Sequence, residues 1–131
     1  MDFIKPFMPQ LLSILRIVSG LLILEHGTAK YLNFPIGPMN HASPVTMGGA
    51  AGILELIGGA LLVVGLFTRP VAFILSGMAA VAYFYAHAPR GFFPILNGGE
   101  LAILYCFVFL YMAAAGGGPW ALDRVWRSSD T

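Results

Sequence analysis

Apolar residues occur in long runs, separated by short segments rich in proline and glycine. A helix that crosses a membrane needs roughly 20 mostly apolar residues. Four runs approach this length, at residues 10 to 31, 47 to 67, 70 to 88 and 97 to 115. The pattern therefore predicts an all-α integral membrane protein, an antiparallel four-helix bundle that forms one domain over residues 1 to 131.

The connections predict how these helices are joined. The second and third runs are separated only by "TRP", residues 68 to 70, which forces a hairpin and lets proline open the third helix in its first turn. The first connection, residues 33 to 45, is the longest. The tail after the fourth run is expected to break the helix with glycines and to place Trp120 and Trp126 in an interfacial aromatic belt.

The composition supports a membrane protein. The chain is 58% hydrophobic and 10% charged, whereas soluble domains average about 25% charged residues. The net charge is +1 and no basic run occurs, which excludes the electrostatic footprint of a nucleic-acid-binding protein. The single cysteine, Cys106, excludes an intramolecular disulfide and a CxxC pair, and is expected to be a small apolar filler.

The basic residues predict the orientation. Pro6 and Pro9 precede an apolar run that is too long for a signal peptide, so we expect a retained first helix. An even number of spans places both termini on one side. That side carries four basic residues and the other carries two: Lys5, Arg69, Arg124 and Arg127 against Lys30 and Arg90. The positive-inside rule then predicts that both termini are cytoplasmic.

The second helix is rich in small residues, which let membrane helices approach closely. Small residues stand one turn before and one turn after Glu55, and residues three or four apart share a helix face. We therefore expect Glu55 to point into the bundle, away from lipid.

Polar and ionisable residues gather in the outer half of the predicted bundle, the half remote from the termini. They are Glu25, His26, Lys30, Glu55, His87, Arg90, Asn97 and Glu100. Charged groups in a span cost about 2.5–3.5 kcal/mol each on insertion scales and are functional candidates. The sequence thus predicts a ligand-binding polar pocket in this half, with Lys30, Arg90 and Asn97 at its mouth. In the inner half Arg16 stands nearly alone and is expected to snorkel to the headgroups.

Several interpretations of these residues stay open. Glu25 and Glu55 could be structural partners of Lys30 and Arg90, and His26 could be a hydrogen-bonded core residue. Alternatively, the carboxyls could pass protons while a quinol is oxidised or a quinone reduced. A metal ion could use Glu25, His26, Glu55 and Glu100, but no Glu-x-x-His pattern of the di-iron bundles occurs. No catalytic residue and no firm metal site follow from the sequence.

Three segments resemble the DoxX family of small bacterial integral membrane proteins. They are "LLILEHGTAKYL", "GGAAGILELIGGALLVVGLFTRPVAFIL" and "NGGELAILYCFVFLYMAAAGGGPWALDR", and the likeness runs from about residue 10 to 127. The resemblance implies a four-helix bundle in the bacterial inner membrane, with polar positions at Glu25, His26, Gly27, Lys30, Glu55, Arg69, Asn97 and Glu100. Glu25 departs from the family pattern, which has an apolar residue before the His-Gly pair.

The resemblance also implies a functional association with thiosulfate:quinone oxidoreductase subunits and with quinone or thiol stress. We therefore expect a redox-associated protein that binds a quinone-like or other small ligand. If it is an enzyme, it would be a membrane oxidoreductase subunit acting with quinone, and a bound quinone, a metal or a redox partner protein would carry the electrons. The alternatives are a small transporter or channel, and a scaffold that anchors an oxidoreductase complex. The expected partners are the lipid bilayer, the ligand and a second copy of the chain.

Overall fold

The computed structural model describes residues 1–35 and 46–128, and these residues form helices and turns without a strand. The helices are α1 (Met8–Tyr31), α2 (Met47–Val64), α3 (Thr68–Ala82), α4 (Pro94–Asn97), α5 (Glu100–Ala115) and α6 (Leu122–Ser128). A π turn, Tyr83–His87, and a 3-10 turn, Ala88–Arg90, extend α3. The all-α prediction is confirmed, while most of the predicted first connection and the side chains of Trp126 and Arg127 lie outside the described residues.

Three helical segments are long and apolar enough to cross a membrane: Lys5–Tyr31, Met47–Val64 and Thr68–Arg90. The helix within the predicted fourth span is shorter. α5 has 16 residues, which corresponds to about 24 Å at 1.5 Å per residue, against a hydrocarbon core of about 30 Å. Large apolar side chains are exposed along these helices, as at Leu21, Phe73 and Phe107, and they make the surface suited to contact with lipid.

The link between α2 and α3 lies earlier in the chain than predicted. α2 ends at Val64, the next residue, Gly65, adopts a left-handed conformation with φ 77°, and α3 begins at Thr68. The carboxylate of Asp123 accepts hydrogen bonds from the backbone N–H groups of Phe67, at 2.7 Å, and Thr68, at 2.8 Å. Helix starts leave such N–H groups without partners. The tail therefore caps α3 and moves its start to Thr68, while Pro70 occupies the first turn as expected.

Glycine brings α1 and α2 into close contact, and this pair of helices has the most extensive interface. A Cβ atom at Gly27 would lie 2.5 Å from the backbone nitrogen of Leu56. A Cβ atom at Gly59 would lie 2.8 Å from the backbone of Leu24. The prediction that the small residues of α2 permit close packing is confirmed, and Gly27 contributes to it from α1.

The second large interface joins α3 and α5. Ser76 donates a hydrogen bond to the carbonyl oxygen of Cys106 at 2.7 Å, and the partly buried Cys106 packs against the core as an apolar filler. Leu75 of α3 also lies against Gly58 of α2 and so links the two helix pairs. The core formed in this way comprises Ile23, Leu62, Ala72, Leu75, Ala79, Tyr105, Phe109 and Met112.

Candidate functional site

A buried ion pair connects α1 with α2. The Nζ atom of Lys30 lies 2.6 Å from Oε1 of Glu55, and each residue is only 5% exposed. The inward orientation predicted for Glu55 is confirmed. Lys30 is not at the mouth of a pocket, as predicted, but buried. The missing side chain of Gly52 makes this possible, because a Cβ atom there would lie 2.8 Å from Cδ of Lys30.

His26 stands beside this pair, one turn before Lys30 on the same face of α1. Its Nδ1 atom is 3.8 Å from Oε2 of Glu55, and its side chain is 36% exposed. The ring of Tyr105 meets that of His26 edge to face, with centroids 6.4 Å apart. His26, Lys30, Glu55 and Tyr105 are called the Glu55 cluster below. It combines a fully enclosed carboxylate with an imidazole that reaches the surface.

Glu25 borders the Glu55 cluster without joining it. Neighbouring residues on a helix do not share a face, so the chain can turn only one of Glu25 and His26 toward α2. Glu25 is exposed. Its carboxylate and that of Glu55 nevertheless both lie close enough to Tyr105 to interact with the phenol electrostatically. Tyr105 was not singled out from the sequence, because a tyrosine in an apolar helix is typical of ordinary core packing.

Asn97 organises a second group of side chains in the connection between α3 and α5. Its Nδ2 atom donates to the hydroxyl of Tyr83 at 3.2 Å and to the carbonyl of Gly91 at 2.9 Å. Its Oδ1 atom accepts from the backbone N–H of Gly99 at 2.8 Å. Asn97 is 1% exposed, so it is a buried organiser of the loop and not, as predicted, a residue at a pocket mouth.

His87 belongs to this second group. Its Nδ1 atom is 3.2 Å from the carbonyl oxygen of Asn97, and its ring stacks on that of Tyr83 with centroids 6.4 Å apart. The π turn Tyr83–His87 places the two rings together. Tyr83, His87 and Asn97 are called the Asn97 cluster. Within residues 1–35 and 46–128, no hydrogen bond or ion pair joins it to the Glu55 cluster.

The remaining predicted site residues, Arg90 and Glu100, are exposed. Neither forms an ion pair with another described residue. The four candidate metal ligands do not assemble either, because no group of three His, Cys, Asp or Glu side chains in the described part of the chain could hold a metal ion together. The described structure therefore distributes the eight predicted residues over two hydrogen-bonded clusters and three exposed acidic or basic side chains.

Arg16 corrects the prediction for the other end of the molecule. It is fully buried, with 0% exposure, and does not snorkel. Its Nε atom donates to the carbonyl of Gly117 at 2.9 Å, and Nη1 donates to those of Leu62, at 2.9 Å, and Val63, at 3.1 Å. The last carbonyls of a helix lack intrahelical partners. Arg16 therefore closes the end of α2 and holds the glycine tail against it.

Further polar side chains surround Arg16 where the chain termini lie. Ser13 donates to the carbonyl of Gly117 at 3.1 Å and accepts from the N–H of Trp120 at 3.1 Å. Thr68 is buried nearby, and Asp123 caps α3. We call Ser13, Arg16, Thr68 and Asp123 the terminal cluster. The prediction that Arg16 stands nearly alone in this half is wrong, since its partners are backbone carbonyls and a tail that folds back.

A cavity also lies at this end. It has a volume of about 700 Å³ and is bounded by the start of α1, the α2–α3 link and the tail. None of the eight predicted site residues lines it. In the Glu55 cluster, Lys30, Glu55 and Tyr105 are each at most 8% exposed, and His26 is the half-exposed member.

A sequence model of the DoxX family matches residues 11–88. The chain belongs to the DoxX family. An uncharacterized protein of Haemophilus influenzae is 48% identical over 129 residues, covering 95% of this chain and 96% of its own length. A second uncharacterized protein of that bacterium is 35% identical over 71 residues, which is 54% of this chain and 47% of its own length. No solved structure matches the chain significantly.

Membership of the DoxX family and the apolar helices make this chain a bacterial membrane protein. The matched part of this DoxX protein contains α1, α2 and α3. It therefore includes His26, Lys30 and Glu55 but neither Tyr105 nor Asp123. The ion pair lies in the matched region, whereas Tyr105 of α5, whose ring meets that of His26, lies outside it.

Proposed function

We propose that this DoxX protein is an inner-membrane protein with a redox-linked role, and that the Glu55 cluster binds the head group of a quinone-like ligand. The observation that carries the proposal is the buried Lys30–Glu55 pair with the half-exposed His26 beside it. Ionisable residues within membrane segments are functional candidates because their insertion is costly. Here the exposed side of the His26 ring can be reached from the lipid.

The proposed architecture is an antiparallel four-helix bundle of α1, α2, α3 and α5. Contacts along α1 and α2 support opposite directions, because Gly20 lies near Val63 whereas Gly27 lies near Leu56. Opposite directions of α3 and α5 are supported in the same way, because Ser76 of α3 bonds to Cys106 of α5 whereas Tyr83, after the end of α3, bonds to Asn97, before the start of α5. The distribution of basic residues given above supports cytoplasmic termini. The Glu55 cluster then occupies the periplasmic half of the bundle.

The shape of the Glu55 cluster suits an apolar ligand that arrives sideways through the bilayer. A quinone carries two carbonyl oxygens on an otherwise apolar ring, so it needs hydrogen-bond donors at an apolar surface. The imidazole of His26 and the hydroxyl of Tyr105 are such donors. Because Nδ1 of His26 faces Glu55, Nε2 is the ring nitrogen that would contact the ligand.

The proposed chemistry is proton handling. Oxidation of one quinol to a quinone releases two protons and two electrons. The first proton would be taken from a ligand hydroxyl by Nε2 of His26 while Nδ1 releases one to the carboxylate of Glu55, whose negative charge Lys30 balances before the transfer. The second proton would stay on His26 as imidazolium, and both groups would lose their protons to water before the next turnover. The electrons would pass to a redox partner protein, and this chain would act as the quinone-binding subunit of a membrane oxidoreductase.

Quinone binding in lipid nanodiscs tests this proposal. A short-chain ubiquinone analogue is titrated against the parent protein and against His26→Gln, Glu55→Gln and Glu100→Gln. We expect at least about tenfold weaker binding for the first two variants, since losing a hydrogen bond to a buried partner corresponds to about 1–3 kcal/mol. The exposed Glu100 is the matched carboxyl control and should leave binding unchanged. Equal affinity of all four proteins would refute the proposal.

Transport is the second candidate function. A transport path would need polar side chains in both halves of the bundle, and the terminal cluster supplies them in the second half. An apolar barrier nevertheless lies between the two ends, because Ile23 occupies α1 between Arg16 and His26 and packs with Leu75 and Phe109. Substrate flux through proteoliposomes, abolished by Glu55→Gln, would favour transport over quinone binding. A stable partner protein bound without any ligand would instead favour the scaffold alternative.

A further inference from the structure

The cavity at the terminal end is separate from the Glu55 cluster, none of whose residues lines it. Its volume of about 700 Å³ falls within the range of about 300–1,000 Å³ that is typical of small-molecule sites. It is lined by α1, the α2–α3 link, the end of α5 and the tail. Its lining includes Met8, Leu12, Thr68, Arg69, Tyr111 and Arg124.

The cavity has an apolar side and a basic side. Met8 and Leu12 of α1 and Tyr111 of α5 contribute apolar surface. Arg69 and Arg124 line the same cavity, and neither forms an ion pair with any residue in the described part of the chain. A cavity with one apolar side and one basic side suits an amphiphilic molecule. Its volume is larger than a lone inorganic ion requires.

The local charge is positive. Asp123 is the acidic residue of the lining, and its two carboxylate oxygens already accept hydrogen bonds from the N–H groups of Phe67 and Thr68. Three arginines, Arg16, Arg69 and Arg124, stand against this one carboxylate, a difference of two positive charges. The site therefore favours an anion.

Two buried hydrogen-bond donors at this end lack a partner, as does one buried acceptor, Oε1 of Gln10, which does not line the cavity. Thr68 is 0% exposed and lies in the cavity wall, yet its hydroxyl oxygen makes no hydrogen bond. The Nη2 atom of Arg16, behind the wall, is also unpaired. Buried polar groups almost always have partners, so these two donors are suited to a bound group that offers acceptor oxygens. Both can donate hydrogen bonds, and both are suited to an anionic oxygen.

We propose that this cavity binds one anionic phospholipid. Its phosphate would lie against Arg69, Arg124 and Thr68, and its acyl chain would follow Met8 and Leu12 along α1. The exposed Trp120 beside the cavity supports a position at the membrane–water interface, where lipid phosphates lie. Basic pockets between membrane helices are typical sites for anionic lipid head groups. The proposal does not depend on the quinone site.

Native mass spectrometry of the purified protein tests this inference. We expect one retained phosphatidylglycerol molecule, in preference to the zwitterionic phosphatidylethanolamine. Each of Arg69→Gln and Arg124→Gln should weaken retention about fivefold, and the double variant about 25-fold. Arg90→Gln, the same change at an exposed arginine of the opposite end, should have no effect. Glu55→Gln should keep the lipid, which separates this outcome from that of the quinone proposal.

Thr68→Val provides a second variant of nearly the same shape. It should weaken lipid retention about tenfold without lowering the thermal unfolding temperature, since the hydroxyl has no partner within the protein. Glycerol 3-phosphate and inorganic phosphate test whether the head group alone suffices. Equal retention of phosphatidylglycerol by the parent and the double arginine variant would overturn the proposal, as would binding of inorganic phosphate without binding of the lipid.

Discussion

Lys30 and Glu55 form an ion pair with an Nζ–Oε1 distance of 2.6 Å inside the interface of two glycine-rich helices. Removing two charges from water is costly, and replacing such a pair by apolar residues is often neutral or stabilising. Bundle stability is therefore a weak reason for this chain to keep the pair. A reactive or ligand-binding role for Glu55, with His26 at 3.8 Å, is the stronger explanation, and it makes the following predictions.

Breaking the pair should destabilise the protein more than removing it. Lys30→Met and Glu55→Gln each leave one buried group without its partner, and we expect each to lower the free energy of unfolding by about 3–5 kcal/mol. The double variant Lys30→Met/Glu55→Gln should recover most of this loss. Equilibrium unfolding in mixed micelles measures all three values as a double-mutant cycle. If the loss of the double variant equalled the sum of the two single losses, that result would contradict an interaction between the two buried side chains.

The buried position of Arg16 predicts a strict requirement for arginine. Arg16→Met removes the guanidinium that donates to the carbonyls of Leu62, Val63 and Gly117, of which Leu62 and Gly117 keep another donor, and should cost about 1–3 kcal/mol. Arg16→Lys should recover only part of this, because an ammonium group cannot reproduce the planar fork of donors. The matched change Arg90→Lys, at an exposed site, should stay within about 0.5 kcal/mol. Full recovery by Arg16→Lys would instead indicate a snorkelling side chain.

Asp123 should stabilise the start of α3 although it lies 55 residues away from Thr68 along the chain. Asp123→Ala removes the acceptor of two backbone N–H groups and should cost about 1–2 kcal/mol, as for other caps. Asp123→Asn keeps one acceptor oxygen and should cost less. Hydrogen exchange of the Phe67 and Thr68 amides reports the cap directly. Unchanged protection of these amides in Asp123→Ala would contradict it.

Glycine positions should differ sharply in their tolerance of alanine. At Gly27 an added Cβ would meet the backbone of α2, so Gly27→Ala forces α1 and α2 apart and should destabilise by about 1–3 kcal/mol. Gly77, in α3, has no neighbour within 4 Å of an added Cβ. There Gly77→Ala should stabilise by about 0.5–1 kcal/mol through helix propensity. Thermal unfolding of the two variants in one detergent compares them, and equal effects would contradict the close packing at Gly27.

Much of the helical layout follows from the sequence, because long apolar runs and small residues act locally. The α1 and α2 positions, the inward face of Glu55 and the close approach at the small residues of α2 were all predictable from spacing. The exact start of α3 was not, since the cap at Thr68 comes from Asp123 in the tail. The shorter α5 was also missed, because a run of apolar residues does not indicate where Gly98 and Gly99 interrupt the helix.

The candidate site was predictable in its residue types but not in its contacts. Helix spacing places His26 and Lys30 on one face, yet it cannot distinguish a lysine at a pocket mouth from one buried over Gly52. The terminal cluster was missed for a related reason. The hydrogen-bond acceptors of Arg16 are backbone carbonyls. Every residue has a carbonyl, so these acceptors leave no recognisable pattern in the sequence.

Photolabelling with an azido-quinone in native membranes tests the central claim most directly, because it locates the ligand without assuming an activity. Labelled peptides are identified by mass spectrometry, and an excess of unlabelled quinone serves as the competitor. The Glu55 cluster predicts competable labelling on the α1 peptide that contains His26 and on the α5 peptide that contains Tyr105, with loss of both in Glu55→Gln. Competable labelling confined to the peptides that line the terminal cavity, around Thr68 and Tyr111, would contradict the account.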